Sequence, residues 1–153
     1  MLRERVEGEL RRKLRRATRD DVGLLARIMG GPERGRIRTA RRILAGLVSD
    51  VYLAVEADGT PVGAFMVAYR RSLAQGGLVA EIDLLRCVAP LPPEAGDEVL
   101  AFLLEGALLR ARRRGCVAIW AAEEDEDRAR LLGRSGFEAF AGRRLLPLRT
   151  GDA

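Results

Sequence analysis

The stretch Ala80-EIDLLRCVAPLPPEAGDEVLAFLLEGALLRARRR-Gly115 decides how this 153-residue chain is read. It runs from a strand, Leu78 to Val88, through a proline-rich loop into a long amphipathic helix with an arginine-rich end. The loop is Leu91-Pro92-Pro93-Glu94-Ala95-Gly96-Asp97-Glu98. A glycine-bearing loop between a strand and a helix start is a common phosphate cradle, because free backbone N–H groups and the helix dipole both favour an anion there. This loop holds one glycine and three acids. Two readings of it stay open: the amides around Gly96 hold a phosphate, or Asp97 and Glu98 cap the helix with their own carboxylates. Beyond the loop, Val99, Phe102, Leu103, Leu104, Ala107, Leu108 and Ala111 give the helix a wide apolar face. Arg112, Arg113 and Arg114 occupy its last turn, where cations suit the dipole, and Gly115 closes it.

Downstream, Val117 to Ala121 reads as a short buried strand, so the strand–helix–strand unit implies a right-handed parallel crossover. The acidic run Glu123 to Asp127 leads into a helix over Arg128 to Arg134. Gly136-Phe137 ends that helix, and Phe137 to Leu146 supplies the closing strands. Upstream, Tyr52 to Ala57 and Val62 to Tyr69 flank Asp58-Gly59, a strong hairpin signal. Pro61 stands at the first strand position, where a missing donor is tolerated. Gln75-Gly76-Gly77 turns the chain again, which makes a three-stranded antiparallel meander.

Nearer the N-terminus, Leu14 to Ala17 forms a first strand. Thr18 and Asp21 have capping-box spacing, and Val22, Leu25, Ile28 and Met29 follow at helical spacing up to Gly30-Gly31-Pro32. A second helix is predicted over Thr39 to Val48, with Ile43, Leu44 and Leu47 on one face. Residues 2–10 read as a short helix. The chain thus divides into a basic extension, 1–12, and a single domain, 13–153.

Apolar residues make up 48% and charged residues 32%, an ordinary balance for one domain with a real core. No apolar run approaches the ~18 residues that would span a bilayer, so no membrane role is expected. The start is charged from Arg3 onward with no apolar signal core, and Cys87 and Cys116 are the only cysteines; both point to a reduced, cytoplasmic protein. There is no histidine, which excludes Ser–His and Cys–His dyads and the usual zinc sites, so no metal site is expected. Acid–base chemistry falls to Glu, Asp, Tyr, Cys or a held water.

Residues 1–19 hold eight basic side chains against three acids, a surplus equal to the chain's net charge of +5. Such an end suits nucleic acid or an acidic partner. A solvated helix leading into an edge strand is the reading favoured here, since no aromatics are interleaved for base stacking. Trp120 reads as core or an interface anchor, and Cys116 as buried strand packing. Tyr52 and Tyr69 read as strand core.

The order β-α-α-β-β-β-α-β-α-β-β resembles the GNAT N-acetyltransferase superfamily over roughly Leu14 to Leu148. The likeness is carried by Leu14 to Asp21, by Ala80 to Gly115 and by Asp125 to Phe137. It implies a mixed, mostly antiparallel sheet flanked by helices (an α+β or α/β mixed class), with one splayed parallel strand pair. It also implies a slot for acetyl-CoA or another acyl-CoA as co-substrate. The cofactor arm would pair with the backbone of Cys87 and Val88. The pyrophosphate would sit on Ala95, Gly96, Asp97, Glu98 and Val99. Pro93 and Glu98 stand where the family has a basic or amide residue and a second small residue. Asp125 falls on the family's usual asparagine, and Leu132 on its usual tyrosine.

Glu81 and Asp83 lie two apart on the fourth strand and share a sheet face, with Cys87 at the same parity. The resemblance makes these two acids the catalytic candidates, as general base to an attacking amine; a charged pair on a solvated face is the other reading. Cys87 is a poor nucleophile with no histidine beside it. The function implied is an acyl-CoA-dependent N-acyltransferase acting on a small-molecule or protein amine by direct transfer, with a homodimer expected. The alternative is a non-catalytic GNAT-like domain with a protein- or nucleic-acid-binding role.

Overall fold

A computed structural model describes residues 12–31, 34–122, 125–140 and 143–148. The helix expected over residues 2–10 lies outside them, as do Pro32, Glu123 and Glu124. The elements are β1 (Lys13–Arg16), a 3-10 turn (Arg19–Asp21), α1 (Val22–Ile28), α2 (Arg34–Ala45), β2 (Ser49–Val55), β3 (Pro61–Ser72) and β4 (Gly77–Cys87). They continue with α3 (Pro93–Arg113), β5 (Ala118–Ala121), α4 (Glu126–Arg134), β6 (Glu138–Phe140) and β7 (Arg143–Pro147). Seven strands form one sheet in the order β1-β2-β3-β4-β5-β7-β6. Every neighbouring pair is antiparallel except β4 with β5. Among the described residues no helix is long and apolar enough to cross a membrane.

The turn chemistry behaves as the residues require. Gly59 takes φ 86° in the β2–β3 hairpin, and the Thr60 N–H donates to Asp58 Oδ1 at 2.9 Å. The capping box at Thr18 forms, with the Thr18 N–H 2.7 Å from Asp21 Oδ2. Arg15 adds a two-pronged grip on the same carboxylate at 2.8 and 2.9 Å and, as the largest cause, holds its pKa below the usual carboxylate value.

Two helix boundaries differ from expectation. α2 begins five residues earlier than Thr39 and stops at Ala45, where the Gly46 N–H closes the last turn onto Arg42 and Ile43. Leu47 and Val48 therefore lie outside it, 83% and 68% exposed, and Ile43 and Leu44 alone supply the expected contact with the sheet. α3 begins at Pro93 and absorbs most of the expected loop. Proline suits this position because its fixed φ is helical and its missing N–H would have had no partner.

The two sheet faces carry separate cores. α3 covers one face, where Val99, Leu103, Leu104 and Ala107 meet Phe65, Val67, Ile82 and Leu85. α1 and α2 cover the other, where Leu25, Ile28 and Ile43 meet Val51, Leu53, Ala64 and Leu84. α3 lies close to β3 because Gly63 has no side chain. A Cβ there would stand 2.8 Å from Leu103 Cδ1, 2.8 Å from Val99 Cγ1 and 3.0 Å from the Arg86 carbonyl oxygen. The valine is β-branched and the carbonyl is backbone, so neither moves cheaply. Gly63→Ala is expected to destabilise the fold by about 1–3 kcal/mol, read as a lower urea midpoint at unchanged m. An unchanged midpoint would show that α3 is not held that tightly.

Candidate active site

The site is built where the parallel strand pair β4–β5 comes apart. β4 pairs with β5 through Val79–Ala118, Ala80–Ile119, Glu81–Trp120 and Ile82–Ala121, and no further. From Asp83 to Cys87 the β4 edge faces a gap. The Val88 N–H donates to the Val62 carbonyl at 2.9 Å, toward β3. Strand alternation then turns the N–H and C=O groups of Leu85 and Cys87 to the open side. Of the two residues expected to pair with a cofactor arm, Cys87 has its backbone polar groups on the open edge, whereas the N–H of Val88 is already used.

A β-bulge sits at the mouth of this gap. Val67 pairs with Ile82 and Met66 with Leu84, so Asp83 has no partner across the ladder. The extra residue breaks the alternation of β4. Ala80 and Ile82 face α3, and so do Leu85 and Cys87. Cys87 therefore does not share the parity of Glu81, which the unbulged pattern had assigned to it. Glu81 and Asp83 remain together on the α1–α2 side, but their surroundings differ. Glu81 is tied to Arg143 at 2.8 Å and stands 3.9 Å from Arg70. Asp83 is exposed and lines a cavity of about 230 Å³ between α1, α2 and the sheet. Leu25, Met29, Ile43 and Met66 make the walls mainly apolar, with Arg36 also at the lining.

On the other side of the gap, the first turn of α3 lies against the end of β4, with Cys87 Sγ 3.9 Å from the Gly96 carbonyl oxygen. The Gly96 N–H closes the first helical bond onto Pro92 at 2.9 Å. The amides of Asp97, Glu98 and Val99 follow inside the helix. Since Pro92 and Pro93 carry no N–H, only Glu94 and Ala95 present helix-start amides without an intrahelical acceptor. The competing expectation, that Asp97 and Glu98 cap the helix, is not met. Both lie beyond its first turn, exposed, and neither carboxylate makes a hydrogen bond among the described residues. Val99 is buried beneath the turn.

α4 reaches into the gap from β5. Asp125 caps this helix, accepting the Arg128 N–H at 2.8 Å, and pairs with the Arg128 guanidinium. The same arginine donates its Nε–H to the Leu85 carbonyl at 3.0 Å. A cation thus lies across the open β4 edge, beside Cys87. Burial pushes the Cys87 thiol up, partly offset by Arg128, so it stays protonated at neutral pH.

No protein-family model matches the chain, and no curated protein matches it in sequence. Solved structures do match. A protein of Arthrobacter sp. FB24 assigned as an acetyltransferase superposes with a TM-score of 0.65 at 26% identity, covering 89% of this chain and 91% of that one. A mutant of spermidine N-acetyltransferase SpeG from Vibrio cholerae gives 0.66 at 11% identity, with coverage of 90% and 94%. A chain of the NatC complex bound to Gag peptide and CoA gives 0.68 at 19% identity, with coverage of 91% and 99%. The chain has the GNAT fold.

Within this GNAT fold, no tyrosine serves the gap. Leu132, which the resemblance places on the family's usual tyrosine, is buried in the core. Tyr52 stacks on Phe65 at 5.4 Å between centroids. The Tyr69 hydroxyl donates to Asp50 Oδ2 at 2.7 Å, and burial together with that carboxylate raises its pKa well above the ordinary value. Trp120 is buried with Val79 and Ala118, as core rather than as a substrate cage.

Two features of this GNAT domain escaped the sequence reading. One is Arg128, read only as the start of a helix. The other is Asp50, fully buried at the start of β2 and away from the gap. Besides Tyr69, it meets Arg114 at 3.0 Å, Arg110 at 3.4 Å and Arg16 at 3.7 Å. Arg114 lies 4.7 Å over the Tyr69 ring and Arg110 5.2 Å over the Tyr52 ring. Burial pushes the Asp50 pKa up, but the Tyr69 hydroxyl, Arg114 and Arg110 outweigh it and hold the carboxyl below its usual range. The helix-end arginines therefore bind a specific carboxylate as well as suiting a dipole.

Proposed function

We propose that this GNAT-fold protein is an N-acyltransferase that moves an acyl group from an acyl-CoA, acetyl-CoA being the first to test, to an amine. The observation that carries the reading is the splay: β4 leaves β5 at Ile82, and its open edge runs beside the uncapped start of α3. The residues present fit an acyl-CoA. Leu85 and Cys87 would pair with its amide-bearing arm, and the Glu94 and Ala95 amides would take a phosphate oxygen. Arg128 supplies the positive charge in the slot that Pro93 cannot. On this reading the arm takes the Leu85 carbonyl over from Arg128 Nε, and the guanidinium, still held by Asp125, keeps its charge at the slot.

When bound, the co-substrate supplies an activated thioester carbonyl for the amine to attack. The apolar cavity between α1 and α2 would hold the body of the acceptor. Asp83, projecting at the bulge, would attract the ammonium form and take its proton directly or through water. Glu81, engaged by Arg143 and Arg70, would keep the β4–β7 region in place rather than act on the substrate.

Isothermal titration with CoA and acetyl-CoA tests the reading. Micromolar binding is expected, weakened by at least tenfold when the pyrophosphate-free pantetheine fragment replaces CoA. The absence of heat and of any thermal shift at millimolar ligand would sink it.

A further inference from the structure

Helix α2, RGRIRTARRILA, carries five arginines and no acid. One face packs on the sheet through Ile43 and Leu44. Arg34, Arg38, Arg41 and Arg42 lie on the other, exposed, lining a shallow recess of about 410 Å³ with Ile37 and Ala45. None of these four arginines makes an ion pair or hydrogen bond among the described residues. In contrast, Arg12, Arg15, Arg110, Arg114, Arg128 and Arg143 are all engaged by carboxylates. Four like charges spaced over nine residues, about 12 Å of helix, repel one another and have no counter-charge among the described residues.

We infer that this face of α2 is a docking surface for the phosphate backbone of a nucleic acid. The partner follows from the chemistry of the face. Guanidinium groups match phosphate oxygens two-pronged, and a row of them matches a repeated phosphate array better than a single anion. The recess has no aromatic side chain, so contact is with the backbone and is indifferent to sequence. A lipid surface fits less well. A helix that lies in a membrane needs a free apolar face, and the apolar face of α2 is already spent on the sheet. The inference does not depend on the acyltransferase reading.

The test is fluorescence anisotropy of the full chain with a labelled 20-base-pair duplex and a 20-nucleotide strand of unrelated sequences, in ~50 to ~200 mM salt. Four phosphate contacts predict a loss of roughly 100-fold in affinity over that range on the duplex. The variant R34Q/R38Q/R41Q/R42Q is expected to lose at least tenfold in affinity and most of the salt dependence. The control R19Q/R71Q/R113Q/R134Q removes the same charge from exposed arginines that also lack partners, and should cost less than about threefold. Unchanged melting curves for both would show that the fold is intact. Equal losses in the two variants would overturn the inference, because net charge alone would then explain the binding. Absence of nucleic-acid binding would also overturn it, as would tighter binding through the same arginines to phosphatidylserine vesicles or to a poly-glutamate peptide.

Discussion

Asp50→Ala is expected to lower the unfolding free energy by about 3–5 kcal/mol, the usual cost of removing one partner from a buried charge network. For a domain of this size that corresponds to a fall in melting temperature of about 6–20 °C. The reason is geometric. Asp50 is fully buried, and it is where three strands and a helix meet: Arg16 comes from β1, Tyr69 from β3, Arg110 from α3 and Arg114 from the residue that caps its end. Without the carboxylate, the Tyr69 hydroxyl loses its acceptor and three guanidinium groups are left crowded around an uncharged site.

Tyr69→Phe removes only the hydroxyl and should cost less, about 1.5–3 kcal/mol, since the lost bond goes to a charged acceptor. Asp97→Ala, at an exposed and unbonded site, should stay within about 0.5 kcal/mol. Because the folded-state pKa of Asp50 is depressed, its contribution is fully present above the unfolded value, about 3.9, and is lost as pH falls through the lower folded value. Wild-type stability should therefore drop more steeply than that of Asp50→Ala below pH ~4. Urea unfolding at neutral and acid pH measures both effects. A loss under 1 kcal/mol would mean that the arginines find equivalent partners elsewhere.

The second large effect concerns turnover. Asp83→Asn is expected to lower kcat for amine acylation by about 10²–10⁴-fold, the range for removal of a general base. The binding of acyl-CoA should be unchanged, since the asparagine keeps the shape of the bulge and Asp83 lines the cavity between α1, α2 and the sheet, which is proposed for the acceptor. Glu81→Gln should reduce kcat by less than about tenfold, because Glu81 is engaged by Arg143 and Arg70. Thiol release from acetyl-CoA, followed with an amine that supports turnover, separates the two. The reverse ranking would move the proton acceptor to Glu81 and make Asp83 an ordinary solvated acid.

Much of the molecule was legible in the sequence because it depends on near neighbours. The hairpin at Asp58-Gly59, the Thr18–Asp21 capping box, the apolar stripe of α3 and the order of elements all rest on local periodicity or turn chemistry. The tight approach of α3 to β3 could have been suspected from Gly63, a glycine inside a strand. α2 was misplaced because its first turn is made of arginine and glycine, whereas the apolar pattern starts only at Ile37.

What tertiary structure alone decided is the chemistry of the site. A bulge at Asp83 depends on how β3 and β4 register, and it moves Cys87 to the opposite sheet face from that given by counting residues. The start of α3 at Pro93 depends on packing at the end of β4, and it takes the Gly96 amide out of the loop. The Arg128–Leu85 bond spans 43 positions in sequence, and the Asp50–Arg114 pair spans 64. Periodicity reaches one or two turns along a chain. Pairings at such separations are set only when the strands find their register and the helices close over them, and these pairings set the slot, the placement of the acids and the buried charge cluster.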